Sequence, residues 1–302
     1  IAEILEPIYK SRQDWVHMVQ VDEIFIRHSD SPERKVELLG QVAEMYELAG
    51  DDPRKAFESY SRALAEDPVN EQTQSNLDRL GRVLDVTGEV IRVYESATAG
   101  VEDAELKTGL HRKIAALYEV EVGDLEGAIR HYRAILDLEA SNLPAIEALE
   151  RIYSASERWP DLATTLKQKA AVVGDPAQKK ELYLNAGRIY EEMLESIPQA
   201  VESYATILEF EPDDQTALDK LALLYQHTER WAELLDVLKR KADIVLDLDE
   251  KKKITFESGE VYLEKLSDID HAVDCFIRVT ELDPDDVAAL AKLDEIYVRT
   301  GR

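Results

Sequence analysis

The chain has 302 residues, of which 45% are hydrophobic and 33% charged, and its formal net charge at pH 7 is -27. This apolar content excludes a disordered chain, and the negative charge argues against nucleic-acid binding because phosphates would be repelled. No apolar run approaches the ~20 residues of a membrane-spanning helix, so membrane insertion is not expected. One cysteine, Cys275, permits no internal disulfide. It leaves the compartment open, and we expect a cytoplasmic location, with periplasmic or secreted ones as alternatives.

The chain begins with a helical pattern in residues 1–11, where Leu5, Ile8 and Tyr9 have helical spacing and Trp15 follows. The pattern returns three times, as Leu149, Ile152, Tyr153 and Trp159, as Leu221, Leu224, Tyr225 and Trp231, and, up to its tyrosine, as Leu293, Ile296 and Tyr297. The chain therefore starts inside a repeating unit.

The stretch from Tyr118 to Asn142, which contains Ala128 and Tyr132, shows the period of the repeat. The same four places recur 72 residues earlier and then twice later, as Tyr46, Ala56, Tyr60 and Asn70, as Tyr190, Ala200, Tyr204 and Asp214, and as Tyr262, Ala272, Phe276 and Asp286. There is no insertion between copies. A fixed period of this size indicates a repeat array.

The period divides the chain into a partial unit 1–30, three complete units 31–102, 103–174 and 175–246, and a partial unit 247–302. We expect these units to form a single solenoid domain. Leu290 and Leu293 keep the aliphatic pattern of interior copies, whereas natural array ends carry polar caps. The chain is therefore predicted to be a fragment of a longer array, whose exposed apolar ends could associate end to end.

Each unit is predicted to contain four helices, which in the third complete unit lie at about 176–195, 198–211, 214–227 and 230–246. Capping side chains recur before the first three helices of successive units: Ser31, Asp103, Asp175 and Asp247, then Asp52, Asp124, Ser196 and Asp268, then Asn70, Asn142, Asp214 and Asp286. Nothing alternates with a period of two, so no strands are predicted.

One alanine is present in every copy, at Ala56, Ala128, Ala200 and Ala272. This agreement indicates a contact between helices that has no room for a larger side chain. The recurring tyrosines, leucines and tryptophans are interpreted as core residues.

These residues resemble tetratricopeptide repeats, whose 34-residue pattern places Gly and Tyr in one helix, Ala and Phe in the next, and Pro after them. Ala115 and Tyr118 occupy the Gly and Tyr places, and Ala128 and Tyr132 the Ala and Phe places. The first repeat of each 72-residue pair fits with one extra residue in its turn. The second repeat has the Leu and the Tyr of the family pattern but lacks its Ala and Pro.

The resemblance implies an all-α fold, a right-handed α-α superhelix of antiparallel helix hairpins with about 17 helices. It also implies a function, which is to hold protein or peptide segments in a concave groove. In this family the groove is lined by the first helix of each repeat, at fixed offsets from its tyrosine. In this sequence those offsets select Glu44, Glu47, Arg112, Glu119, Glu181, Leu184, Arg188, Glu191, Arg151, Phe256 and Glu260.

Acidic residues outnumber basic ones at these offsets in the first repeat of each pair, while the second repeats are mixed in charge. Acidic and mixed bands should therefore alternate along the groove, which favours a basic or mixed-charge protein or peptide partner.

Motifs of catalysis and cofactor binding are missing from the sequence. It contains no GxxxxGK loop, GxGxxG, HExxH or CxxC, and its six histidines form no i,i+4 pair that would indicate a metal site on one helix. No cofactor is expected. We predict a non-enzymatic scaffold or adaptor, with two alternatives, a substrate-recruiting or regulatory arm of a larger enzyme or assembly machine and a structural spacer.

Overall fold

The computed structural model describes residues 2–301, which form 17 α-helices and no strand. The helices are α1 (Ala2–Ser11), α2 (Trp15–His28), α3 (Pro32–Leu48), α4 (Pro53–Glu66), α5 (Glu71–Val83), α6 (Thr87–Ala99), α7 (Ala104–Ala116), α8 (Leu125–Leu138), α9 (Leu143–Ala155), α10 (Trp159–Val172), α11 (Pro176–Arg188), α12 (Ile197–Phe210), α13 (Gln215–His227), α14 (Trp231–Ile244), α15 (Leu248–Glu260), α16 (Ile269–Leu282) and α17 (Val287–Thr300). The all-α prediction and the predicted number of helices are confirmed. Within residues 2–301, no helix combines the length and apolar character needed to cross a membrane.

The helices are grouped in two compact parts, Ile1–Ile152 and Tyr153–Arg302. Within each part, successive helices are joined by short loops and pack side by side, as expected of antiparallel hairpins. In the first part, the core around Tyr60, Leu77 and Tyr94 joins α3 through α7. In the second part, Phe276 lies in the core formed by α15, α16 and α17. The predicted single domain and its continuation into further units stay predictions.

The predicted helix caps accept hydrogen bonds from backbone N–H groups in the first turn at all but one position. Asp52 accepts from the N–H of Lys55, for example, and Asp124 from that of Gly127. The prediction is wrong at Ser196, because its hydroxyl forms a short hydrogen bond with the side-chain oxygen of Gln199 and caps no backbone N–H.

The extra residue in the first repeat of a pair is accommodated as a π-helical turn at the end of the first helix in three of the four copies, whereas α3 is α-helical up to Leu48. These turns are Leu117–Val122, Ile189–Met193 and Val261–Lys265, and each contains the repeat tyrosine. The tyrosine carbonyl then accepts from the backbone N–H of the residue that precedes the next helix, as Tyr118 does from Asp124 at 2.9 Å. The predicted helix 176–195 is thus an α-helix to Arg188 followed by a π turn.

Left-handed backbone occurs at two places of the repeat, each in the turn inside a helix hairpin. The seven non-glycine residues with positive φ all lie there, as Asp51, Glu195 and Ser267 in one place and Gln13, Asp85, Glu157 and Glu229 in the other. Gly123 occupies the first place in the second complete unit, with a φ of 76°. Gly301 occupies the second place in the last copy, with a φ of 69°. Among the described residues, these two glycines are the ones that adopt the left-handed conformation without strain.

The recurring alanines mark close helix contacts, as predicted. Ala56, Ala128, Ala200 and Ala272 are all 0% exposed. The contact is closest where the facing helix carries glycine, since a Cβ added to Gly187 would lie 2.4 Å from Cε1 of Tyr204. The tryptophans that start α2, α10 and α14 are only half-buried and are less central to the core than expected.

Asp22 occupies a core position of α2 and is 3% exposed. The equivalent residue 72, 144 or 216 positions later is Tyr94, Leu166 or Leu238, each of which is buried and apolar or aromatic. The Oδ2 atom of Asp22 has no hydrogen-bond partner among the described residues. Burial, followed by the nearby charge of Glu6, raises its pKa to about 6.

Candidate functional site

The residues predicted to line the groove lie on the first and third helices of the units. In the first part they are Glu44 and Glu47 on α3, Arg112 on α7, Glu119 in the following π turn and Arg151 on α9; in the second part they are Glu181, Leu184 and Arg188 on α11, Glu191 in its π turn, and Phe256 and Glu260 on α15. All of them are exposed or half-buried.

Two of the predicted glutamates in the first part form ion pairs with an arginine of the helix two positions further along the chain. Arg79 donates to both carboxylate oxygens of Glu47, at 2.6 and 2.7 Å. Arg151 donates to both oxygens of Glu119, at 2.5 and 2.9 Å. These hydrogen bonds hold the pKa of each glutamate below its usual range.

The second part has equivalent pairs made by lysine. Glu191 accepts from Lys220 at 3.2 Å and from the hydroxyl of Tyr204 at 2.9 Å. Glu260 lies 3.7 Å from Lys292. In both parts, therefore, much of the acidic charge predicted for the groove is compensated by basic side chains of the second repeats. The predicted alternation of acidic and mixed bands stays a prediction.

The other predicted residues differ in how available they are. Glu44 and Glu181 are exposed and form no ion pair among the described residues. Arg188 donates to the side chain of Asn185 at 3.4 Å, and Leu184 is half-buried. Phe256 packs edge-on against Phe276 with ring centroids 5.2 Å apart, so its ring is part of the core of the second part.

A groove of about 890 Å³ opens along the exposed side of α7 in the first part. Its walls come from α7, from Val69 and the start of α5, and from the end of α8 and the turn that precedes α9. They include Leu106, Gly109, Arg112 and Leu138. Arg112 is the one residue in this groove that the family offsets had selected. The family offsets select a few positions on each first helix, whereas most of the other wall residues lie at other positions of α7, on α5 and around the turn between α8 and α9.

The charges on the walls of this groove are predominantly negative. Glu71, Glu105 and Glu139 line it together with Arg112 and Lys113. Lys113 is already paired with Asp78 at 2.9 Å, whereas Glu71 and Glu105 form no ion pair within residues 2–301. The groove therefore combines an apolar wall, a stretch of helix backbone at Gly109 that no side chain covers, and unpaired carboxylates.

Two histidines that are far apart in the sequence meet behind this face. Nδ1 of His111 on α7 lies 2.9 Å from Nδ1 of His131 on α8, so at least one of the two rings is neutral. Glu95 accepts from Nε2 of His131 at 3.3 Å and from the Tyr118 hydroxyl at 2.9 Å. Burial lowers the pKa of both histidines. The sequence pattern was tested only for histidine pairs within one helix, so it did not predict this pair between two helices. Among the described residues, no group of three metal-ligating side chains is placed to hold a metal ion.

Comparisons with known proteins agree on the kind of repeat. The tetratricopeptide repeat family model matches residues 145–180 and 217–252, which are 72 residues apart. No curated relative matches the sequence.

Several solved structures resemble the chain. A tetratricopeptide repeat protein from Parabacteroides merdae is 16% identical, with 86% of this chain and 98% of that chain covered and a TM-score of 0.33. The C-terminal part of a repeat-containing protein from Cytophaga hutchinsonii is 15% identical, with 84% and 98% covered and a TM-score of 0.31. PilF of Pseudomonas aeruginosa is 13% identical, with 87% and 99% covered and a TM-score of 0.30.

TM-scores this low do not establish the repeat family. The assignment of the repeats to a family rests on the matched segments, the 72-residue period and the helix pairs with their buried alanines. Both matched segments start at a buried alanine of a third helix, Ala145 or Ala217. They continue through the tryptophan-led fourth helix into the first helix of the next unit. Residues 145–180 and 217–252 are therefore tetratricopeptide repeats, and the other units repeat the same helix pattern at the 72-residue period.

Proposed function

We propose that this array is a non-enzymatic scaffold or adaptor that binds an extended protein segment of basic or mixed charge in the groove beside α7. The observation that carries the proposal is the groove itself, about 890 Å³ in volume, on the face formed by a first helix. This volume lies within the range of about 300–1,000 Å³ that is typical of ligand-binding clefts in proteins. The proposal assigns no catalytic role to the chain.

The charge of the partner follows from the charges left unpaired in the groove. Glu71 and Glu105 face it without a partner among the described residues, and Arg112 is the one wall cation that is not already in an ion pair. A segment with lysine or arginine beside apolar residues would place its charges near these carboxylates and its apolar side chains against Leu106 and Leu138. Such charge complementarity governs specificity and association rate more than affinity.

Calorimetric titration with two peptides of equal length and apolar content, one carrying lysines and the other glutamates, tests the proposal. We expect the lysine peptide to bind more tightly and its affinity to fall as salt rises. Glu105→Lys should weaken binding, whereas Glu209→Lys, the same charge change on an exposed residue of the second part, should not. Tighter binding of the glutamate peptide, or an equal effect of the two substitutions, would contradict the proposal.

Two alternatives remain testable with the same protein. A substrate-recruiting or regulatory arm would bind the same kind of segment and would differ in what the rest of the polypeptide does. A structural spacer would bind neither peptide. End-to-end association is a separate expectation, since Ile4 and Leu290 are 69% and 47% exposed, and sedimentation at several concentrations would measure it.

A further inference from the structure

A cavity of about 440 Å³ lies in the second part, between α14, α15 and α16. Thr255 of α15 and Tyr262 of the following π turn form part of its wall, together with Cys275 and Leu282 of α16. Phe256 and Glu260, which the sequence assigned to the concave groove, are not among the residues that line it. The cavity is therefore a different site from the groove of the proposed function.

The preceding copy of the repeat shows what normally fills this place. The residues 72 positions before Thr255 and Leu282 are Tyr183 and Phe210. Their ring centroids are 6.4 Å apart, and Tyr183 is 9% exposed. The ammonium group of Lys179 lies 4.7 Å from the centroid of the Phe210 ring, at a distance suited to a cation–π interaction.

The last copy keeps the surroundings of that aromatic pair and lacks its rings. Lys251 stands where the preceding copy has Lys179, and Tyr262 where it has Tyr190. Thr255 replaces one ring with a short side chain, and its hydroxyl donates to the carbonyl of Lys251 at 2.8 Å. Ser258, also in the wall, donates to the carbonyl of Ile254 at 2.9 Å. Because both hydroxyls are satisfied within their own helix, the wall that they form does not require a polar ligand.

The charged residues around the cavity are balanced in sign and unpaired. Three are acidic and three basic, and none forms an ion pair among the described residues: Asp236, Asp243, Glu281, Lys239, Lys251 and Arg278. They come from all three helices. Elsewhere in this chain such charges are commonly paired across helices. The rim of this cavity instead presents unpaired acidic and basic side chains, which would complement a polypeptide that carries charges of both signs beside the side chain that enters the cavity.

We propose that this cavity binds an aromatic side chain presented by a partner protein, in a segment that carries acidic and basic residues beside the aromatic one. The entering ring would occupy the space that Tyr183 and Phe210 fill in the preceding copy, with Lys251 placed as Lys179 is. Its flanking charges would meet the free charges of the rim. This docking site is independent of the segment bound beside α7.

Calorimetry with two probe peptides tests the proposal on the full chain. The first is acetyl-Lys-Glu-Phe-Lys-Glu-amide, and the second has alanine in place of phenylalanine. We expect the phenylalanine peptide to bind at least about tenfold more tightly. The variant Thr255→Tyr with Leu282→Phe rebuilds the filled pair of the preceding copy, and we expect it to lose this preference while its melting temperature stays equal or rises. Equal affinity for the two peptides, or a filled variant that folds and keeps the preference, would overturn the proposal.

A measurement on the unmodified chain avoids any dependence on the variant's folding. Cys275 lines the cavity and is the chain's only cysteine, so its alkylation by iodoacetamide reports on occupancy. We expect the phenylalanine peptide to slow alkylation and the alanine peptide to leave it unchanged. If free indole protects Cys275 and the phenylalanine peptide does not, the site takes a small aromatic molecule and the assignment to a protein partner is wrong.

Discussion

Arg151 and Glu119 are 32 residues apart in the sequence, and the guanidinium of Arg151 donates to both carboxylate oxygens of Glu119. The same geometry joins Arg79 to Glu47 one unit earlier. In the third complete unit the arginine place is taken by Leu223, and Glu191 is paired with Lys220 instead. Each unit thus connects the end of its first helix to its third helix by a charge pair.

Arg151→Met should lower the free energy of unfolding at pH 7 by about 0.5–1 kcal/mol, because Glu119 is only 16% exposed and would lose its partner while Arg151 itself is largely solvated. The pKa of Glu119 is lower in the folded chain than its usual value of 4.5, so this stability is present above pH 4.5 and lost as the pH falls through the folded pKa. Urea unfolding at pH 7 and pH 3 measures both effects. Arg112→Met, an exposed arginine outside any ion pair among the described residues, is the control; an equal loss there would contradict the prediction.

Asp22→Leu should raise the free energy of unfolding at pH 7 by about 1–3 kcal/mol, because it removes a buried carboxylate with an unpartnered oxygen. Three other copies already hold Tyr or Leu in this place. The folded pKa of about 6 lies above the usual 3.8, so the charged carboxylate destabilises the fold above pH 6, and the penalty disappears as the pH falls towards 4. Thermal melts between pH 4 and 7 should therefore show the gain shrinking with acid. Asp22→Asn should recover part of it, and a gain that does not depend on pH would show that the carboxylate charge is not its cause.

Glu157→Gly should stabilise the chain by up to about 1 kcal/mol, because Glu157 has a φ of 54° and a side chain costs energy in this left-handed conformation. The added freedom of glycine in the unfolded chain reduces the gain. Gly123→Glu is the reverse change, at the left-handed position of the other helix hairpin, and it should lower the stability of the chain. Glu157→Ala keeps a Cβ and is the control, so an increase in melting temperature as large as that of Glu157→Gly would show that backbone strain is not the source.

Ala200→Leu should cost about 1–3 kcal/mol, because this alanine is fully buried between helices and the added carbons would force them apart. Gly187→Ala should also destabilise, since its Cβ would meet the ring of Tyr204. The matched control is Ala171→Leu, an exposed alanine of α10. Chemical denaturation of the three variants measures the effect, and similar midpoints for Ala200→Leu and Ala171→Leu would contradict the close contact.

The amino-acid sequence by itself determined the features that are local and periodic. The helix predicted to start at about 198 begins at Ile197, and the one predicted at 230–246 spans Trp231–Ile244. The caps and the alanine column also follow from the sequence, because a capping side chain acts within three residues and a repeated alanine reports the same contact in every copy. Ser196 is the exception, since the neighbouring Gln199 competes for its hydroxyl.

Tertiary structure alone decided which side chains meet across helices. The sequence placed Glu119 and Arg151 on the same predicted face, but it did not show that they neutralise each other. His111 and His131, the orphaned oxygen of Asp22, and the cavity at Thr255 all depend on the separation and crossing of neighbouring helices. Those quantities are set by the packing of whole side chains, and a one-dimensional pattern of residue types does not contain them.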